Sequence, residues 1–185
     1  MKSKEYDPLR LDVAAFAAAG ASLSGDWPVT SLSRIAGSAS ADAAPAAGDR
    51  VEWSAEGEQR RREGSPVEVW LRLRASVRLG LQCQRCLSPV VETVECDRWL
   101  RFVSGAQQAE SLDAESEDDV LELTRQLDLR ELVEDELLLS LPIVPRHAVC
   151  PEPLELPSES PEAADPAPPH PFAVLQALKG PGRKH

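Results

Sequence analysis

Four side chains in this sequence have the chemistry of soft metal ligands, and they fall into two close pairs. Cys83 and Cys86 lie in the run Leu-Gln-Cys-Gln-Arg-Cys-Leu, and His147 and Cys150 follow about sixty residues later. Thiolate and imidazole donors in this number suit a closed tetrahedral site for one structural zinc, which would tie a turn to a distant segment. Two other readings of the same residues stand beside it. The four can be ordinary thiols and a surface histidine that never meet. The C-x-x-C can instead be redox-active, or Cys83 a thiol nucleophile, but such sites sit where a helix end lowers a thiol pKa. Here both flanks of the motif look like strands, and Arg85 is the one cation between the cysteines. Cys96 has no place in any of these readings.

The elements that must position the pairs can be read from periodicity. Val67 to Leu81 alternates apolar and polar residues at strict period two, the pattern of a half-buried strand. At ~3.3 Å per residue it is long enough that a bulge or bend is expected. Val51 to Glu56 alternates in the same way, and Val90 to Val103 reads as the return strand after the cysteine turn. Asp128 opens a helix with a carboxylate at Glu131, three residues on, in a capping-box pattern. That helix carries Leu129, Leu132, Val133 and Leu137 on one stripe, and Pro142 stops it. Near the N-terminus, Asp12 caps a short helix through Ala19 that Gly20 ends, Gly25-Asp26-Trp27-Pro28 reads as a turn, and Leu32 to Ile35 as a second periodic piece. Residues 37–49 and 110–119 read as loops. The fold class expected is α+β, an antiparallel sheet with flanking helices and a Pro-rich C-terminal tail. The domain spans 1–150, a stiff linker 151–171 and a short motif 172–185, with half of the chain's 16 prolines in that linker.

Two surfaces offer themselves for recognition. Arg72, Arg74 and Arg78 project from one face of the long strand, with Arg85 and Trp70 near them, and could follow successive RNA phosphates with a base stacked on the indole. The same arginines could equally form cross-strand ion pairs with Glu52 or Glu92. Glu134, Asp135 and Glu136 offer a carboxylate face to a basic partner, and Phe172, Leu175 and Leu178 an apolar end motif.

Charge and composition narrow the function classes. The net charge of −11 is concentrated in 110–136, where 12 acidic residues face two basic ones, which argues against indiscriminate binding to a phosphate backbone. The Ala-rich run from Val13 to Ala21 is too short to span a membrane, and the first ten residues lack a secretory pattern. Four cysteines with one C-x-x-C fit a reducing cytoplasm. No Ser/His/Asp set, phosphate-cradling loop or small-molecule site can be built.

Three segments together carry a resemblance. Leu81 to Cys86, Leu132 to His147 with its Leu-Pro-Ile-Val-Pro-Arg-His end, and Pro171-Phe-Ala-Val-Leu-Gln-Ala-Leu-Lys179 resemble the YceD family of large ribosomal RNA subunit accumulation proteins. The resemblance runs from about Leu9 to Lys179, is looser at the N-terminal end, and departs at 37–49, in the proline spacer and at Cys96. It implies a small cytoplasmic factor supporting synthesis, processing or stability of large-subunit ribosomal RNA. Its implied partners are ribosomal RNA or a pre-ribosomal particle and ribosomal proteins, with no reaction and no catalytic residue. The alternative from another class is a zinc-stabilised protein-interaction adaptor without a ribosomal role.

Overall fold

The computed structural model describes residues 6–61, 64 and 66–151. The linker beyond Pro151 and the end motif with Phe172, Leu175 and Leu178 lie outside the described residues. Five strands form one sheet in the order β1 (Ser22–Pro28), β2 (Arg50–Arg60), β3 (Glu68–Gln82), β4 (Pro89–Val103) and β5 (Asp119–Glu122). The first four are an antiparallel meander, and β5 returns parallel to β4 with Leu100 opposite Asp119.

Period-two alternation decides which face is covered. Leu71, Leu73, Ala75, Val77, Leu79 and Leu81 of β3 are buried on one face with Val51, Trp53, Val94, Leu100 and Phe102 of its neighbours. Three helices carry the other half of the core: α1 (Val13–Ala18), α2 (Ser33–Gly37) and α4 (Leu129–Leu139). Asp12 caps α1 by accepting from the Ala15 amide, and Asp128 caps α4 by accepting from the Arg130 and Glu131 amides. The expected stripe of α4 is the buried one, with Leu129, Val133 and Leu137 fully enclosed. Helix α1 lies directly on β2: a Cβ on Gly57 would stand 2.7 Å from Phe16 Cδ1 and 2.8 Å from the Ala17 backbone.

Four local expectations change. Gly25 to Pro28 is the end of edge strand β1 and not a turn, because the missing side chain of Gly25 lets the Trp53 indole pack against it. Strand β3 pairs without a bulge from Glu68 to Gln82, since both neighbours alternate in step with it. The 110–119 segment is not a loop: α3 (Ala106–Glu115) runs into β5, buries Ala109, and Asp113 accepts from the Val120 amide. The 37–49 stretch holds a single turn of 3-10 helix, Ala41–Ala43, against Gly80 of β3.

Candidate metal centre

The two ligand pairs meet. The Sγ atoms of Cys83, Cys86 and Cys150 and a ring nitrogen of His147 all lie within 4.8 Å of one another. Cys83 and Cys86 sit on the connection between β3 and β4, a tight knuckle closed by two hydrogen bonds, from the Leu87 amide to the Cys83 carbonyl and from the Cys83 amide to the Ser88 carbonyl. Leu87 takes a left-handed backbone (φ 64°) to make that closure, a conformation a non-glycine residue adopts only where the surroundings enforce it. The second pair rides on the segment after α4. Pro142 and Pro145 forbid helix there, so residues 142–150 form an irregular strap, bent at 143–144 and 148–149, that lies against the knuckle, with the Gln84 amide donating to the Pro145 carbonyl at 2.9 Å.

The spacing is that of a coordination sphere. A tetrahedron with zinc-to-ligand bonds of ~2.0–2.3 Å has edges of roughly 3.5–3.8 Å. Cys83 Sγ and Cys150 Sγ are 3.9 Å apart, and Cys86 Sγ and His147 Nδ1 are 3.4 Å apart. His147 Nε2 lies 3.0 Å from the Pro89 carbonyl oxygen, so Nε2 carries the proton and donates, leaving Nδ1 as the free donor atom on the cluster side. Cys83 is fully buried and the other three are partly so. Electrostatics favour ligand-ready thiolates at the knuckle. Burial opposes ionisation of Cys83, but the backbone N–H groups of Cys86, Arg85 and His147 aimed at it bring its pKa down to about 5. Cys86 is lowered as well, against burial, with the Ser88 amide the leading cause. Cys150 is raised by burial, which Arg85 partly counters. His147 is raised by its contact with Cys83. Cys96 stands apart, in the core beside Ala75, with its thiol pKa pushed up by burial.

The arginine row lies on the uncovered sheet face, and carboxylates occupy it. Arg72 forks onto Asp97 with two contacts of 2.8 Å, and Arg74 reaches Glu56 at 3.0 Å and Asp97 at 3.4 Å. The Arg72 hydrogen bond holds the Asp97 carboxyl below its ordinary pKa. The partners are thus Glu56 and Asp97 on the neighbouring strands, with Arg74–Asp97 directly across the ladder and Arg72–Asp97 and Arg74–Glu56 diagonal, and not Glu52 or Glu92. Arg78 makes no ion pair among the described residues, and Arg85 belongs to the knuckle. Trp70 is not a base platform: it is 2% exposed, donates its indole N–H to Glu68, packs edge-on against Trp99, and has the Arg60 guanidinium 4.2 Å from its ring.

The three α4 carboxylates expected to meet a partner, Glu134, Asp135 and Glu136, divide among themselves. Glu134 is internal, where one oxygen accepts from the Arg34 and Ile35 amides at 2.7 and 3.2 Å and so caps α2, which has no cap of its own. Its other oxygen takes the Arg34 guanidinium. Glu136 is also mostly enclosed, near Arg98, and burial raises its carboxyl pKa. Only Asp135 keeps an exposed side chain, paired with Arg34. Sequence reading missed that Glu134 and Glu136 build the core boundary, because the arginines near them, Arg34 and Arg98, lie on other elements far off in sequence.

Fold and cluster together define a meander-sheet protein whose β3–β4 turn carries half of a Cys/His cluster with the donor set of a metal site, the other half coming on a strap from the far end of the domain. The family model described as "Large ribosomal RNA subunit accumulation protein YceD" matches residues 71–179, which hold all four ligand residues. The chain belongs to that family. A Haemophilus influenzae protein described in the same words is 34% identical over 117 residues, a match covering 60% of this chain and 66% of that relative, just under two thirds of its length. No solved structure gives a significant match.

Proposed function

We propose that this protein is a non-catalytic factor supporting the accumulation of large-subunit ribosomal RNA in the cytoplasm, with one zinc ion as a permanent part of its fold. The observation that carries the reading is the family match across the knuckle and strap, since the relatives are named for that role. Zinc is the metal that suits three thiolates and one imidazole at these spacings, and four protein ligands leave no open position for a substrate or an attacking water. Cys83, Cys86, His147 and Cys150 would hold it, and bound there it would supply cross-linking and not reactivity. No described helix is long and apolar enough to cross a membrane. The partners proposed are ribosomal proteins or a pre-ribosomal particle. Direct RNA contact through the arginine row has less support, because Arg72 and Arg74 already hold carboxylates.

Deleting the gene tests the reading. The expected result is a deficit of mature large-subunit ribosomal RNA, restored by the intact gene. Unchanged ribosomal RNA and subunit profiles in the deletion strain would reject it.

A further inference from the structure

One of the two residues between the knuckle cysteines, Arg85, makes contacts that the family role does not call for. Arg85 is not a ligand, and it has no carboxylate partner among the described residues. Its guanidinium instead turns toward the strap. Nε donates to Cys150 Sγ at 3.0 Å, and one terminal nitrogen donates to the carbonyl oxygens of His147 at 3.1 Å and Ala148 at 3.5 Å. All three acceptors lie on the second arm of the site, while Arg85 sits on the first. Three thiolates around a divalent ion leave one negative charge in excess, and a cation just outside the coordination sphere offsets it. A planar fork with several fixed donors reaches one sulfur and two carbonyls together, which a single ammonium cannot.

We infer that Arg85 is the outer-sphere partner of the metal centre: it holds the Cys150 thiolate in ligating position and clamps the strap backbone, so that the second ligand arm is docked even without metal. The inference rests on the metal reading above. It differs from a generic charge effect because it assigns the work to the fork and to the strap carbonyls.

The test uses the full chain, loaded with zinc or cobalt or stripped of metal. Loss of an outer-shell partner weakens metal affinity by about 10- to 100-fold. Arg85→Ala should therefore lose that much zinc affinity in chelator competition, while Arg85→Lys recovers only a small part. The cobalt-loaded Arg85→Ala protein should show a shifted thiolate-to-metal charge-transfer band, since the N–H to Cys150 sulfur bond is gone. In metal-free protein the Gln84 amide, which donates to the Pro145 carbonyl, should exchange with solvent faster in Arg85→Ala than in wild type.

Zinc affinity within about twofold of wild type with an unmoved cobalt band would overturn the outer-sphere role. Full rescue by lysine would reduce it to charge alone and overturn the fork. Unchanged Gln84 exchange in the stripped protein would overturn the clamp. A wild-type chain that takes up no metal overturns the metal reading itself, and is told apart because wild type and variant then fail alike.

Discussion

Two polar clusters on this sheet invite opposite conclusions. On the uncovered face, Arg72, Arg74, Glu56 and Asp97 form a ladder in which every charge named has found its opposite within the chain. At the β3–β4 turn, three sulfurs and one ring nitrogen converge, and Arg85 hydrogen-bonds just one of the sulfurs, that of Cys150. Thiolates packed at this range repel one another, Arg85 offsets part of that charge at Cys150, and the proposed metal would offset the rest. A cluster that closes on itself is architecture, while one whose donor atoms converge with part of their charge unmatched is a candidate binding site. Residue type did not separate the two, since arginines on a strand and cysteines on a turn are both good recognition material. What separates them is whether the neighbours across the ladder cancel them.

The contrast can be pushed hardest at the knuckle. Stripping metal with a chelator, or replacing Cys83 with serine, should lower the thermal midpoint by more than about 10 °C, because metal bound at this site would contribute folding free energy. A chelated protein that melts at the same temperature would remove the distinction drawn above. Glu134 is the intermediate case, an internal pair that also caps a helix. Glu134→Ala should cost about 2 kcal/mol, since it leaves the Arg34 and Ile35 amides unpaired, and denaturant unfolding measures it. The smallest effect belongs to the ladder. A double-mutant cycle on Arg72 and Asp97 should give a weak coupling that salt erases, because both side chains are part-exposed, at 31% and 49%. The sign of its pH dependence follows from Asp97, whose folded pKa lies below its ordinary value. That contribution is present above the ordinary carboxyl range and fades as pH falls through the lowered value. A coupling as large as the knuckle effect would show that the face is more than a solvated ladder.

The strands were legible in the sequence wherever alternation was strict, as in Val67 to Leu81, and the α4 stripe was legible through its capping pattern. Cys83 and Cys86 announced a knuckle because both their flanks read as strands. What could not be read were relations across distance. Alternation puts Arg72 and Arg74 on one face, but register alone decides that Glu56 and Asp97 stand opposite them. Glu134 looked like a surface carboxylate on an acidic helix face until α2, a hundred residues earlier, came to lie against it. Strand β5 was hidden because four residues in an acidic stretch carry no periodic signal, and only the parallel pairing with β4 makes them a strand. Gly25 signalled a turn by residue type, and the packing of one indole overrode that signal.

The strap also sets a schedule. Strands β1 to β4 are sequential hairpin neighbours, so each can pair as soon as it leaves the ribosome. The half-site formed by Cys83 and Cys86 then waits for β5, α4 and the prolines to emerge, because its remaining donors are among the last of the domain to be synthesised. On the proposed zinc reading, coordination would come last. A chain cut short between Glu122 and Cys150 keeps all five sheet-forming segments but lacks the last of the four proposed ligands.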